Sequence, residues 1–182
     1  TPWTLPSNTA LAFGAKINYV KVATYNQYTK EPIQVYLAKD RISAYFKAEA
    51  ENGDFSAVKA GDKVLPWRIA ASFTGKDLLG IRYHQLMPYV SNAALEEKAF
   101  RVIPADFVTT EDGTGIVHIA PTFGADDDRV AKISGIAPLI LIDKDGNRRP
   151  MVDLTGKFYN IEDLDVAFVT EFVNVELYNE YS

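Results

Sequence analysis

The chain has 182 residues, of which 47% are hydrophobic and 12% aromatic, so it is long enough to bury a core and short enough to form one domain. It contains no cysteine, which excludes disulfides, thiolate metal sites and a cysteine nucleophile, and indicates a reducing, cytoplasmic setting. Its formal net charge of -5 argues against tight nucleic-acid binding by phosphate neutralisation alone, although not against receiving a nucleic acid that is held elsewhere.

The hydropathy and the N-terminus of the chain indicate its context. No apolar run reaches the length of a membrane span, so we expect no membrane partner. The chain starts with neither an initiator methionine nor the pattern of a signal peptide. Residues 1–6 therefore predict a cut made inside a longer protein.

Short β-rich segments recur along the whole chain and predict a mainly β fold with a few packed helices. Gly, Asn and Asp separate these segments at residues 52–53, 60–62, 111–113 and 144–147, where they suit tight turns. Many short strands with such turns are typical of a sandwich or a closed barrel. Strands are predicted at residues 10–13, 19–25, 33–38, 68–73, 79–83, 100–103, 116–119 and 139–142.

Helical spacing of apolar residues occurs in fewer places. It predicts helices within residues 41–50 and 162–172, packed on the sheet. No repeat, low-complexity tract or linker interrupts the chain, so residues 1–182 are expected to form a single domain.

The stretch GTGIVHIAPTFGADDD, residues 113–128, holds the main acidic cluster. Its glycines predict a hairpin turn, residues 116–119 a buried strand that Pro121 terminates, and His118 then lies near the strand end. Asp126, Asp127 and Asp128 precede a helical segment at residues 129–134, where acids suit the helix dipole and can cap free amides. Either one aspartate caps the helix while His118 is an ordinary core residue, or a spare carboxylate beside His118 holds a cation or an ammonium group.

Other chemistries are poorly supported by the sequence. Adjacent aspartates at a helix start point in different directions and seldom chelate one ion, and only two histidines are present, so no metal site is predicted. Nucleophile-elbow, Walker A and dinucleotide motifs are absent, so we expect chemistry without a cofactor.

Two motifs occur together in the order found in one enzyme family. They are TPWTLPSN at residues 1–8 and GTGIVHIAP at residues 113–121, and they resemble the editing domain of isoleucyl-tRNA synthetases, a β-barrel-like domain of class I aminoacyl-tRNA synthetases. In that family the first motif is a threonine-rich strand, and an aspartate lies nine residues after the histidine, which is Asp127 here. Residues 123–125 and 146–155 also match, so the resemblance covers essentially the whole chain. The valyl and leucyl relatives usually carry Arg-Pro-Glu or Arg-Pro-Asp at residues 1–3, and the valyl enzymes usually have lysine in place of His118. Both differences favour the isoleucyl branch.

The resemblance implies hydrolytic removal of valine from isoleucine tRNA, with valyl-adenylate a further possible substrate. Asp127 is expected to anchor the α-ammonium group of the valine. His118 is expected chiefly to exclude isoleucine by limiting the size of the pocket, with general-base action as the alternative. Catalysis is assigned to Asp127, Thr1 and Thr4, and substrate binding to His118, Trp3, Gly124, Ala125 and Asp126.

The resemblance also implies which cofactors and partners to expect. Editing needs no cofactor, since ATP and metal belong to a synthetic core whose motifs are missing here. The expected partners are the tRNA acceptor end with its mischarged amino acid and the rest of the synthetase, and the isolated domain is expected to be monomeric. The threonines that usually precede residue 1 in the family are absent, which can remove part of the pocket wall. The alternatives are a non-catalytic module that binds the acceptor end or acts as a spacer, and a metal-dependent hydrolase.

Overall fold

The computed structural model describes residues 2–182, so the predicted role of Thr1 lies outside the described residues. The chain divides into two compact units. The first contains the residues up to Ala12, Gly80–Ile103 and His118–Ser182, and the second contains Phe13–Leu79 and Pro104–Val117. The single-domain organisation stays a prediction.

The described strands lie in small sheets, and the mainly β fold with several helices is confirmed. One sheet has the order β5-β1-β6, and most of its residues belong to the first unit; a second has the order β3-β2-β4, and β7 pairs with β8. The described residues form no closed barrel. The strands are β1 (Ala10–Phe13), β2 (Asn18–Tyr25), β3 (Pro32–Ala38), β4 (Arg68–Thr74), β5 (Arg101–Pro104), β6 (Ile116–Ile119), β7 (Leu141–Ile142) and β8 (Arg148–Arg149).

Short helices connect the strands, and none of the described helices is both long and apolar enough to cross a membrane. Asparagine or aspartate side chains cap three of them, because Asn92, Asp165 and Asn174 each accept the backbone N–H three residues later. The α-helices are α1 (Ile42–Tyr45), α2 (Gly75–Leu78), α3 (Ala93–Lys98), α4 (Ala125–Ile133), α5 (Val166–Phe172) and α6 (Val175–Tyr181). A 3-10 helix of two turns occurs at Pro2–Ser7, and single 3-10 turns occur at Lys39–Arg41, Ala48–Ala50, Phe55–Ala57 and Ile161–Asp163.

The second unit is built on strand β2, which is antiparallel to both of its neighbours. Its register against β4 shifts between Lys21 and Val22, which marks a bulge. The side chains of Val20, Val22 and Leu37 pack with Trp67 in a core of this unit. This unit carries none of the candidate site residues described below.

The first unit has a larger core, in which aromatic rings meet edge to face. Tyr89 and Tyr178 are both buried, and their ring centroids lie 5.4 Å apart at an interplanar angle of 85°. Leu95, Met151 and Leu164 are also buried in this cluster. This packing includes residues of α3, α5 and α6.

Several predicted elements were wrong or too long. The strand predicted at residues 79–83 is absent, because Gly80 takes a φ of +84° and only an isolated bridge forms at Arg82. The strand predicted at 139–142 shortens to β7, and the helix predicted at 41–50 divides into α1 and a 3-10 turn. The helix predicted at 162–172 begins only after Asp165. The N-terminal motif is a 3-10 helix and not a strand, because Pro2 and Pro6 fix φ and lack the N–H that a sheet needs.

Candidate functional site

The N-terminal segment is fixed beside strand β6 by backbone hydrogen bonds. The N–H of Thr9 donates to the carbonyl of Ile119 at 3.0 Å, and the N–H of Phe100 donates to the carbonyl of Thr9 at 2.7 Å. Because residue 9 is held against residue 119, Asn8 is brought to His118. A side-chain pair separated by 110 residues of sequence is thus set by the backbone.

Both ring nitrogens of His118 are hydrogen-bonded. Its Nδ1 lies 3.0 Å from Nδ2 of Asn8, and its Nε2 lies 2.8 Å from Oγ1 of Thr4. The same Asn8 Nδ2 donates to the carbonyl of Ala10 at 3.0 Å, which fixes the amide orientation, since a flipped amide would face that carbonyl with oxygen. Asn8 therefore donates to Nδ1, and Nε2 carries the proton that is donated to Thr4.

Tyr83 completes this chain of hydrogen bonds. Its hydroxyl donates to Oδ1 of Asn8 at 2.6 Å, and burial raises the pKa of this phenol. Asn8 thus uses both ends of its amide, and Asn8 itself is 2% exposed. Sequence reasoning missed Asn8 and Tyr83; Asn8 lies within the N-terminal motif, but nothing in its neighbours indicates a partner at residue 118.

Burial lowers the pKa of His118, whereas the negative charge of Asp127 acts in the opposite direction. The hydrogen bonds explain the same preference for the neutral ring, because a proton on Nδ1 would face the Asn8 donor. His118 is therefore neutral at neutral pH. Its interaction with Asp127 also places that carboxylate within electrostatic reach of the imidazole.

One oxygen of Asp127 is fixed, and the other is available. Oδ2 accepts the backbone N–H of Ala120 at 2.9 Å, at the end of strand β6. No residue between 2 and 182 donates a hydrogen bond to Oδ1. A Cβ atom added at Gly124 would lie 3.3 Å from Cγ of Asp127, so glycine leaves room for the carboxylate to fold back toward the strand.

The other two aspartates of the cluster have different surroundings. Asp128 pairs with Lys132 at 2.6 Å, one turn later on α4, and Asp126 lies 3.8 Å from Nε of Arg129 with 76% of its side chain exposed. The residue at the N-cap is Gly124, and no side chain caps this helix, so the expectation of an aspartate cap was wrong. The predicted role of Asp126 in substrate binding stays a prediction.

The remaining predicted residues lie near the N-terminus and the start of α4. Trp3 is 52% exposed. Its Cβ lies close to Gly156, because a Cβ atom added at that glycine would be only 3.2 Å away from it. Ala125 is exposed in the first turn of α4. Of the predicted residues, the structure brings Thr4 and Asp127 to His118: Thr4 by a hydrogen bond and Asp127 by the effect of its charge on the imidazole.

A metal ion would need several ligands in one place. No group of three or more His, Asp or Glu side chains within residues 2–182 has an arrangement that could hold one. The available oxygen of Asp127 instead suits a ligand that donates hydrogen bonds and carries positive charge.

Comparison with known proteins gives close relatives. No family model matches the chain. The chain is 57% identical over its full length to an isoleucine–tRNA ligase of Bacteroides fragilis and 54% identical over its full length to one of Porphyromonas gingivalis. It is 40% identical to an isoleucine–tRNA ligase of Clostridium tetani over 80% of the chain and 12% of that ligase. The chain spans only 16% of the length of the first two.

A solved structure is also similar in part. It is described as "The crystal structure of GlLeuRS-CP1", and the alignment covers 78% of this chain and 53% of that one. The sequence identity is 16% and the TM-score is 0.44.

Proposed function

Because the chain belongs, as a segment, to the isoleucine–tRNA ligase family, we propose that it hydrolyses the ester between isoleucine tRNA and wrongly attached valine. A pocket shaped for isoleucine rejects valine weakly, since one methylene is worth about 1–3 kcal/mol, a range for which isoleucine–tRNA ligases are themselves the standard example. A second site that admits valine and excludes isoleucine removes the errors. Such proofreading takes place in the cytoplasm, with the tRNA acceptor end and the rest of the ligase as partners.

The available oxygen of Asp127 is the observation that carries this proposal. The amino group of an esterified amino acid is an ammonium ion that needs a charged acceptor, and Oδ1 offers one while Ala120 holds the other oxygen in place. Fixing the ammonium group also fixes the ester carbonyl two bonds away. The carboxylate acts on the position of the substrate and not as a nucleophile.

His118 is assigned to exclusion and not to proton abstraction. A general base needs a free lone pair, and the lone pair on Nδ1 already accepts the Asn8 amide. Its lowered pKa makes the ring a weaker base still. A neutral imidazole held by Asn8 and Thr4 is instead a rigid wall, which can limit the length of the amino-acid side chain.

The chemical step needs no nucleophilic side chain. Water attacks the carbonyl carbon of the ester, the bond to the ribose oxygen breaks, and that oxygen leaves with a proton to restore the ribose hydroxyl. The adjacent ribose hydroxyl of the tRNA can position the water. Thr4 contributes a protein hydroxyl beside His118; its oxygen accepts from His118, so its own hydrogen points elsewhere.

The experiment compares Asp127 with an exposed aspartate outside the site in a hydrolysis assay. Asp127→Asn keeps the shape of the side chain and removes its charge, and valine release from valyl-tRNA is expected to fall by a factor of about 100 or more, as expected for loss of a charge-assisted hydrogen bond. Asp112→Asn removes the same charge from an exposed position with no assigned role in the site and is expected to leave the rate unchanged. Equal rates for wild type and Asp127→Asn would overturn the proposal.

The alternative is a module that binds the acceptor end, or spaces other domains, without catalysis. Such a module would bind an aminoacylated RNA and release no valine from it. The same assay therefore separates the two functions, provided that binding is measured beside turnover.

A further inference from the structure

A groove of about 310 Å³ opens in the first unit, next to the loop that joins His118 to Asp127. That loop contributes Thr122 to one wall of the groove, and the first turn of α4 contributes Asp128. Strand β8 contributes Arg148 and Arg149. The groove and the candidate site therefore share one continuous segment of chain.

Arg149 is held in position by the turn between β7 and β8. Its Nε donates to Oδ2 of Asp143 at 2.9 Å, while Oδ1 of Asp143 accepts the backbone N–H groups of Asp145 and Asn147 at 3.0 and 2.8 Å. Asp143 is 8% exposed, and these hydrogen bonds hold its pKa below the usual range, so it stays charged. Since only Nε is used, the two Nη groups of Arg149 remain available as donors.

Arg148 adds a cation without a partner among the described residues. Its side chain is exposed and makes no hydrogen bond or ion pair with any residue from 2 to 182. The acid of the groove, Asp128, is already paired with Lys132. Arg149 is paired with Asp143 and Asp128 with Lys132, so the exposed guanidinium of Arg148 leaves a positive charge at the groove in a chain whose net charge is -5.

Thr122 supplies a hydroxyl that has no partner among the described residues. Its Oγ1 is buried and makes no hydrogen bond within residues 2–182. A buried polar group left in this way costs free energy, which a ligand acceptor can recover. Guanidinium groups and a hydroxyl together match the oxygens of a phosphate group.

We propose that Arg148, Arg149 and Thr122 bind a phosphate group of the RNA backbone at the tRNA acceptor end. The inference rests on the proposed function for the identity of the RNA. Phosphate contacts position a nucleic acid without reading its sequence, which is what a site that acts on the terminal ester requires. The arginines thus set the register of the RNA, while Asp127 receives the amino acid.

The test uses two substrates that differ in the phosphate. One is a valyl ester of adenosine, which has no phosphodiester, and the other is the valylated trinucleotide cytidyl-cytidyl-adenosine. For Arg148→Gln we expect KM for the trinucleotide to rise roughly tenfold with kcat little changed, as for loss of a charge-assisted hydrogen bond. KM for the adenosine ester is expected to stay the same. Arg149→Gln is expected to act in the same direction, although it also breaks the pair with Asp143.

Matched variants and a salt series complete the experiment. Lys98→Gln removes an exposed charge at the end of α3 and is expected to change KM for neither substrate, and Arg148→Lys is expected to restore part of the affinity. The slope of log affinity against log salt concentration should become shallower by about 0.7, the value for one neutralised phosphate of a single strand, when both arginines are replaced by glutamine. Equal KM changes for both substrates, or no change for either, would overturn the phosphate site.

A binding measurement keeps this test independent of hydrolysis. The trinucleotide without an amino acid is titrated into two chains that both carry Asp127→Asn, one with Arg148 intact and one with Arg148→Gln. Weaker binding to the Arg148 variant supports the phosphate site even if the chain proves to have no hydrolytic activity. Equal binding contradicts it, whatever the hydrolysis assay shows.

Discussion

The amide of Asn8 donates to Nδ1 of His118 at 3.0 Å, and this hydrogen bond determines which nitrogen of the imidazole carries the proton. Tyr83 holds the other end of the amide, and Nε2 donates to Thr4. A ring fixed in this way has one tautomer and one orientation.

Replacement of Asn8 by aspartate is expected to raise the pKa of His118. A carboxylate at this position accepts from Nδ1–H, so it favours the protonated ring in place of the neutral one. The change is measured by following the imidazole resonances against pH. Asn92→Asp is the control, since aspartate caps α3 as well as asparagine does. An unchanged His118 titration in the Asn8 variant would show that the assigned tautomer is wrong.

Replacement of His118 by alanine separates exclusion from base catalysis. If the ring is a wall, its loss admits the longer side chain, and hydrolysis of correctly charged isoleucyl-tRNA rises by about 10-fold or more, the discrimination that one methylene supports. If the ring is a base, hydrolysis of valyl and isoleucyl esters falls together. Both esters are measured side by side; a parallel loss would refute the exclusion role.

The stability of the folded chain is expected to fall in mild acid because of His118. Burial lowers its folded-state pKa, so below the unfolded value of about 6.5 the unfolded chain binds a proton that the folded chain does not. The free energy of unfolding therefore decreases as pH falls from about 7.5 to about 5.5. Urea unfolding is measured in a His84→Gln background, with and without His118→Gln. A pH slope that is the same in both would contradict the assignment.

Replacement of Gly124 by alanine is expected to displace Asp127 without unfolding the chain. The new Cβ lies 3.3 Å from Cγ of Asp127, while the φ of -145° at this residue suits any amino acid. KM for the valyl ester should therefore rise, with little change in Tm. Gly80→Ala is the control and should lower Tm without changing KM. The added Cβ meets no atom within 4 Å, but the φ of +84° at this residue makes a side chain cost about 1–2 kcal/mol. A lower Tm for Gly124→Ala with unchanged KM would contradict this explanation.

Local sequence predicted a good part of the fold. Strands β1 and β6 have the predicted bounds, since β-branched and apolar residues run between clear turn residues, with Pro121 soon after β6. Helices α3 and α6 were missed, because six or seven residues show less than two turns of apolar spacing. The strand expected at the N-terminal motif came from the family resemblance, whereas Pro2 and Pro6 prevent a strand there.

The site was predicted through two motifs more than through residue chemistry. The resemblance selected His118 and Asp127 and identified the family, which the identity of 57% confirms. It did not reveal the hydrogen bond from Asn8 to His118, or the groove that Arg148, Arg149 and Thr122 line. Both depend on residues that are far apart in the sequence and are brought together by the backbone. Counting charges along the chain gives no sign that Arg148 and Thr122 line the same groove.

The central claim is that Oδ1 of Asp127 binds the ammonium group of the amino acid. It is tested most directly by the affinity of two nonhydrolysable adenosine conjugates, one with the valyl amino group and one with a hydroxyl in its place. Wild type is expected to bind the amino compound more tightly by a factor of about ten or more, and Asp127→Asn is expected to bind the two alike. The same preference for the amino compound in wild type and in Asp127→Asn would contradict the claim.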